Sequence, residues 1–177
     1  MEKPSLQGEM IRLRPIGPQD VEAFWDLVTD QEGGRLTGRT RVYSRTDVAT
    51  RCGSIASRPN RIDLAVTMSG SDEMLGEIVL KRIDHHARSA DLRLTMRSAH
   101  RGRGLGTEAI GLVLDLAFEG LGLHRVGLTL LSINPRAQAL YEGLGFQTEG
   151  RLREAFRDGA RWCDGIVMGL LEDEYRV

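Results

Sequence analysis

Arg101-Gly102-Arg103-Gly104-Leu105-Gly106-Thr107 stands between a strand-like run, Ser89 to Met96, and an apolar helical run from about Gly106 to Glu119. Three glycines within five positions let a main chain come close to a ligand, and the following helix offers unpaired N–H groups and the positive end of its dipole. Such a turn is an anion site best suited to phosphate. It is equally a tight strand-to-helix connection, so its surroundings decide the reading. A P-loop needs lysine directly after its last glycine, whereas Gly106 is followed by Thr107. A dinucleotide-binding unit begins with G-x-G-x-x-G and has an acidic residue about 20 positions on. Here the spacing is G-x-G-x-G, residue 126 is valine, and three strand candidates precede the turn. The P-loop is excluded on pattern, and the dinucleotide-binding reading is set aside.

Upstream, Met10-Ile11-Arg12-Leu13-Arg14 alternates apolar and basic residues as a half-buried strand does, and Pro15 ends it. Pro18 suits a first helical position, and Val21, Phe24, Trp25 and Val28 recur at helical spacing behind it. Gln31 to Tyr43, with Gly33, Gly34 and Gly38 among Arg35, Arg39 and Arg41, has no periodicity and reads as a mobile loop. A weaker helical segment runs from about Thr46 to Ser57. Arg61 to Ser69, Met74 to Ile83 and Ser89 to Met96 are strands with short connections, hence an antiparallel meander. Downstream of the turn come a strand from His124 to Leu131, a helix from Pro135 to Leu144, and strands near Phe146 to Arg151 and Cys163 to Leu170. The order predicts an α/β (α+β) fold with a mixed sheet flanked by helices.

The bulk properties narrow the class. A chain of 177 residues, 41% hydrophobic, closes one substantial core, so residues 1–177 read as a single domain. The net charge of −1, with 28% charged residues of both signs interspersed, points to neither nucleic acid nor membrane. Of 24 basic residues only Lys3 and Lys81 are lysine, so positive charge rests on arginine, whose fork suits phosphate and carboxylate. Cys52 and Cys163 lie in no metal-binding or C-x-x-C spacing, which predicts neither a disulfide nor a metal site. The N-terminus opens into no apolar signal-like run, and a cytoplasmic protein is expected.

With Arg101-x-x-Gly104-x-Gly106 between a strand and a helix, the chain resembles the GNAT superfamily, whose pyrophosphate signature is [Q/R]-x-x-G-x-[G/A]. Asn134-Pro135-x-Ala137 opening a helix, then Tyr141, then Gly145-Phe146, is similar to a second feature of that family. The likeness extends from Ile11-Arg12-Leu13-Arg14-Pro15 to Glu149-Gly150-x-x-Arg153, Gly159, Asp164 and Met168, in the manner of the branch that holds ribosomal-protein-alanine and spermidine N-acetyltransferases. It implies a sheet splayed open between the strands ending at Met96 and near Leu131, with the pantetheine of acetyl-CoA in the split. By the same resemblance Leu94, Thr95 and Met96 would meet the pantetheine amides, Arg101, Gly102, Arg103, Gly104, Leu105, Gly106 and Thr107 would wrap the pyrophosphate, and Asn134 and Ala137 would contact the coenzyme. Homodimers are common among relatives, so a homodimer is a further expectation.

The implied chemistry is transfer of acetyl from a thioester to a primary amine, on a protein N-terminus or a small molecule, in a ternary complex. The departing thiolate needs a proton, and a tyrosine hydroxyl of ordinary pKa about 10 can give it. Tyr141 matches that position in the family; the residues alone read first as a packed core aromatic. Asn134, directly before Pro135, is a natural N-cap, a role compatible with touching coenzyme. An alkyl amine of pKa about 10 is only about 0.1% neutral at pH 7, so a base is needed unless the acceptor is an α-amine near pKa 8. Asp91 corresponds to an acidic position in relatives, and Glu77 is on the neighbouring strand; either could instead be a cross-strand partner of arginine. His100 could reach a phosphate, whereas His85 and His86 read as a solvated turn. Acceptor recognition is expected from the loop around Gly33 to Arg45 and from Arg153 to Asp164. The alternative from another class is a CoA-ester sensor or inactive scaffold of the same fold.

Overall fold

The computed structural model describes residues 2–175 of the chain. Eight strands form one sheet in the order β1-β2-β3-β4-β5-β6-β8-β7. These are β1 (Leu6–Gln7), β2 (Ile11–Pro15), β3 (Arg61–Met68), β4 (Gly76–Asp84), β5 (Ser89–Met96), β6 (Arg125–Leu131), β7 (Gln147–Asp158) and β8 (Arg161–Leu171). All neighbours pair antiparallel except β5 and β6, which are parallel and are joined through the helix that follows the glycine turn. The mixed sheet expected from the sequence is present.

Alternation places the core. Ile62, Leu64 and Val66 of β3, with Ile78 and Leu80 of β4, face α4 (Leu105–Asp115), which inserts Ala109, Ile110, Val113 and Leu114. On the other face, Ala65 and Met74 meet Phe24 and Leu27 of α1 (Val21–Thr29) and Val48 and Cys52 of α3 (Arg45–Ser54). β3 is therefore buried on both sides. Ser44 caps α3 by accepting from the Asp47 N–H at 3.0 Å, while Asp47 returns a bond to the Ser44 N–H.

Two segments differ from the sequence reading. Gln31–Thr37 is a helix, α2, rather than a loop. Its glycines obscured the helical pattern, and their use is tertiary: a Cβ on Gly33 would lie 2.5 Å from both Arg101 Nη2 and Asp30 Oδ2. The second is Arg153 to Asp164, expected as a loop, which belongs to the β7–β8 hairpin closed at Gly159. The strand signal was lost there because β7 is largely exposed on both faces and shows no apolar alternation. The chain continues through α5 (Pro135–Gly143) between β6 and β7, and α6 (Glu172–Tyr175) after β8. Among the described residues, no helix is long and apolar enough to cross a membrane.

Candidate active site

β5 and β6 pair through only three residues, Ser89↔Arg125, Ala90↔Val126 and Asp91↔Gly127, and then part. Beyond Asp91, β5 keeps β4 on one side, with Leu94 opposite Ile78 and Met96 opposite Gly76, and has no strand on the other. Every second residue of that stretch turns its N–H and C=O into the gap, where a buried polar group needs a partner. The splay implied by the resemblance lies at the expected place, between the free ends of β5 and β6.

Two cavities open from it. The smaller, about 440 Å³, is lined by Leu94, Thr95 and Met96, by the turn from His100 to Gly104 with Gly106 and Thr107, and by Asn134, Arg136, Ala137 and Leu140. Gly102 and Gly104 take φ of +73° and +76°, so the main chain turns without a side chain over the cavity. A Cβ at Gly104 would meet nothing within 4 Å. Gly104 is the N-cap of α4, and no side chain caps that helix end. The first N–H groups of α4 are thus presented to the cavity wall, as an anion requires. Leu105 is instead buried in the core with its side chain away from both cavities.

Arg101 has a different placement from the other turn residues. Its Nε donates to the Met96 carbonyl at 3.1 Å, and its Nη2 pairs with Asp30, the N-cap of α2. The side chain latches α2 to the end of β5, and one carbonyl of the expected pantetheine-binding stretch is already engaged. Burial tends to raise the Asp30 pKa, but the Arg101 hydrogen bond and the Gly33 N–H outweigh it and hold the carboxyl below its ordinary value. His100 Nδ1 lies 3.2 Å from Arg103 Nη1. Arg136, in the first turn of α5, was not singled out from the sequence; it lines the same cavity, and that turn has no acidic residue. Its signal was its position two residues after the Asn134 cap.

The larger cavity, about 560 Å³, shares Thr95, Asn134, Ala137 and Leu140 with the smaller and extends across β4 and β5. Tyr141 lines it, 5% exposed, with its ring edge-on to Phe146 at 5.3 Å. Its hydroxyl makes no hydrogen bond to a described residue, and burial raises its pKa well above the ordinary tyrosine value. Asn134 accepts from the Ala137 N–H at 3.2 Å, which is the N-cap expected. Asp91 lines the cavity with Oδ2 paired to Arg82. Glu77 is buried, accepting from Arg51 at 2.9 Å and Arg93 at 3.2 Å. Of the two segments expected to meet an acceptor, Gly38 to Arg41 and Tyr43 reach this cavity, whereas none of Arg153 to Asp164 does. That hairpin supports α2 from behind, through Arg35 to Asp158 at 2.8 and 3.1 Å. Lys81, Arg51 and Arg93 also line the wall, although sequence reading had not joined them to the site. Among the described residues, no three His, Cys, Asp or Glu side chains are grouped to hold a metal.

A strand-splayed sheet, a glycine turn capping a helix at the open end and a buried tyrosine on the opposite helix define a class. The chain belongs to the acetyltransferase (GNAT) domain family, which residues 11–147 match. The spermidine N(1)-acetyltransferase of Vibrio cholerae is 33% identical over 110 residues, 62% of this chain and 64% of that protein, just under two thirds of its length. A Bacillus subtilis protein named "Probable N-acetyltransferase YjcK" is 31% identical over 177 residues, covering 96% of this chain and 98% of that one. The crystal structure of Vibrio cholerae spermidine N-acetyltransferase in complex with CoA and spermine superposes with a TM-score of 0.88. It covers 96% of this chain and all of that one at 24% identity, a likeness of fold.

Proposed function

We propose that this chain transfers the acetyl group of acetyl-CoA to a primary amine of a small molecule or a peptide N-terminus, by direct attack with both substrates bound in one domain. The observation that carries the reading is the continuity of the two cavities past Tyr141, from the glycine turn to the charged wall of β4 and β5. The residues suit a CoA ester on their own chemistry. The free edge of β5 at Leu94 and Thr95, with Met96 beyond them although its carbonyl is engaged by Arg101, suits the pantetheine amides. The α4 end at Gly102, Arg103, Gly104, Gly106 and Thr107 suits the pyrophosphate, with Arg136 as an added cation and Asn134 and Ala137 across the groove.

Acetyl-CoA, when bound, supplies an activated carbonyl. Tyr141 holds its proton through burial and gives it to the departing sulfur, since no group among the described residues competes for its hydroxyl. Asp91 takes a proton from the acceptor ammonium so that the neutral amine attacks, and Glu77, opposite Thr95 on the neighbouring strand β4, is the second acid of the wall. Closeness of the two substrates removes much of the entropic barrier. The relatives are named as enzymes, which favours turnover over a coenzyme sensor of the same fold. A cytoplasmic location and a homodimer accord with this reading and rest on the sequence and the resemblance.

Isothermal titration of acetyl-CoA into the protein, followed by thiol release against a panel of amines, tests it. Binding with turnover is expected. Absence of binding sinks the assignment.

A further inference from the structure

The larger cavity is unevenly charged. Arg39, Arg41, Arg51, Lys81, Arg82 and Arg93 line it, against Glu77 and Asp91 alone. Both acids are already engaged: Glu77 by Arg51 and Arg93, and Asp91 by Arg82. Arg39 gives its guanidinium hydrogen bonds to the main-chain carbonyls of Leu27 and Asp30, each at 2.8 Å, and forms no ion pair among the described residues, although the Asp30 carboxylate, itself paired with Arg101, acts on it at longer range. Arg41 stacks on Tyr43 and lies 4.0 Å from Asp47. Lys81, one of only two lysines in the chain, makes no hydrogen bond or ion pair among the described residues.

The strand itself aims these groups. From Lys81 to Asp84, β4 advances three residues while its partner advances two, from Asp91 to Ser89, so one extra residue is inserted. Arg82 sits at the irregularity with φ of +52°, a conformation uncommon for a non-glycine residue. In an unbroken strand Lys81 and Arg82 would face opposite sides of the sheet; here both line the cavity. Lys81 stands opposite Asp91, and Arg93 stands opposite Val79, a diagonal neighbour of Lys81 on the same face.

We propose that the acceptor is a primary amine that carries its own anion, a carboxylate or phosphate, and that Lys81, with Arg93 beside it, receives that anion and so sets the specificity. The proposal rests on the N-acetyltransferase reading above and narrows its substrate. A cavity with six cationic and two acidic side chains repels a polyamine, whose every further ammonium adds like charge. It draws in an amine whose net charge is zero or negative. Burial, with Arg93 next, pushes the Lys81 ammonium below its ordinary pKa while Asp91 opposes them; an arriving anion would relieve that cost. Where the acceptor amine is a peptide α-amine, near pKa 8, it is also easier to present neutral than an alkyl amine.

The test is steady-state acetylation with acetyl-CoA and matched acceptors: α- and ω-amino acids and peptides with acidic second residues, their carboxamide counterparts, aminoalkyl phosphates, and spermidine. Acidic acceptors should exceed their carboxamides by at least about tenfold in kcat/KM, the worth of one charge-assisted bond. Whether carboxylates or phosphates lead tells which anion the site reads. Lys81→Gln should bring the acid-to-amide ratio close to one through a raised KM for the acids, and Lys81→Arg should restore much of it. Turnover in which carboxamides equal acids, or spermidine leads, overturns the proposal and leaves the acetyltransferase assignment standing. Acetyl-CoA turnover with no amine overturns both.

Discussion

The two ends of the split sheet are made differently. At the α4 end, the groups offered to a ligand are main-chain ones: the free edge of β5, the turn at Gly102 and Gly104, and the first N–H groups of the helix. At the β4 end they are side chains, drawn from the segment after α2, from α3, and from β4 and β5. A main-chain site needs only a backbone shape, so a short contiguous spacing of glycines encodes it. A side-chain site needs a charge balance summed over residues far apart in the chain. The first end therefore suits a constant substrate part, and the second suits the proposed choice of acceptor.

Tyr141 stands where the two ends meet, and Tyr141→Phe should have the largest effect. The removed hydroxyl bonds no described residue, so stability should hardly change and the acetyl-CoA dissociation constant should stay near the parent's. Loss of a proton donor should lower kcat by about 10²- to 10⁴-fold. Wild-type turnover in the variant, read by thiol release, would remove Tyr141 from the chemistry.

Gly104→Val comes next and breaks the main-chain end alone. Among the described residues, no atom beyond the adjoining chain lies within 4 Å of the new Cβ, so the fold objects only through the left-handed φ of +76°, at about 1–2 kcal/mol. If a pyrophosphate lies against that turn, acetyl-CoA affinity should fall far more, by about 100-fold or roughly 2.7 kcal/mol. Gly104→Ala separates strain from contact, because it carries the same φ with less bulk. Titration showing unchanged affinity in both variants would take the turn out of the site.

How much of this was legible follows the same division. The glycine turn, the Asn134 cap, Tyr141 and the β3–β5 meander lie in contiguous patterns, and the structure has them at the expected places. The splay was available only through the resemblance, since no residue pattern announces that pairing stops after Asp91. α2 was hidden because Gly33 and Gly34 weaken a helix locally and are there to let Arg101 and Arg39 approach. The bulge at Arg82 had no glycine to mark it. Lys81, Arg51, Arg93 and Glu77 share a cavity through strand register and a helix packed above it, and neither is written in local spacing. Arg101 was read as a phosphate ligand from its motif, whereas its side chain is committed to Asp30 and to the Met96 carbonyl.

That commitment gives a smaller, pH-dependent effect. Asp30 has a lowered pKa in the folded chain. Its contribution to stability is therefore complete above the unfolded aspartate value of about 3.9 and is lost as pH falls through the lower folded value. Asp30→Asn should lose part of the latch at neutral pH, raise the acetyl-CoA dissociation constant by about three- to tenfold, equivalent to some 0.7–1.4 kcal/mol, and flatten this part of the acid limb. Stability curves of variant and parent that run parallel from pH 6 to pH 3 would deny the latch any role in acid sensitivity.

The smallest effect sharpens the comparison most. α2 is held at its start by Asp30 and Arg101 beside the coenzyme end, and along its length by Arg35 and Asp158 against the hairpin. Between these anchors it supplies Leu36 and Thr37 to both cavities. Arg35 is 48% exposed, so the pair is solvent-screened, and Arg35→Ala should cost little stability. The melting temperature should fall by no more than about 2–4 °C. Freed from the hairpin but still latched at Asp30, the C-terminal half of α2 and the segment from Gly38 to Tyr43 should shift on the acceptor side. KM for the amine should rise by about two- to threefold, under 1 kcal/mol, with acetyl-CoA affinity unchanged. A change in coenzyme affinity equal to the change in amine KM would mean that α2 moves as one rigid body, and that the two ends of the split are coupled through it.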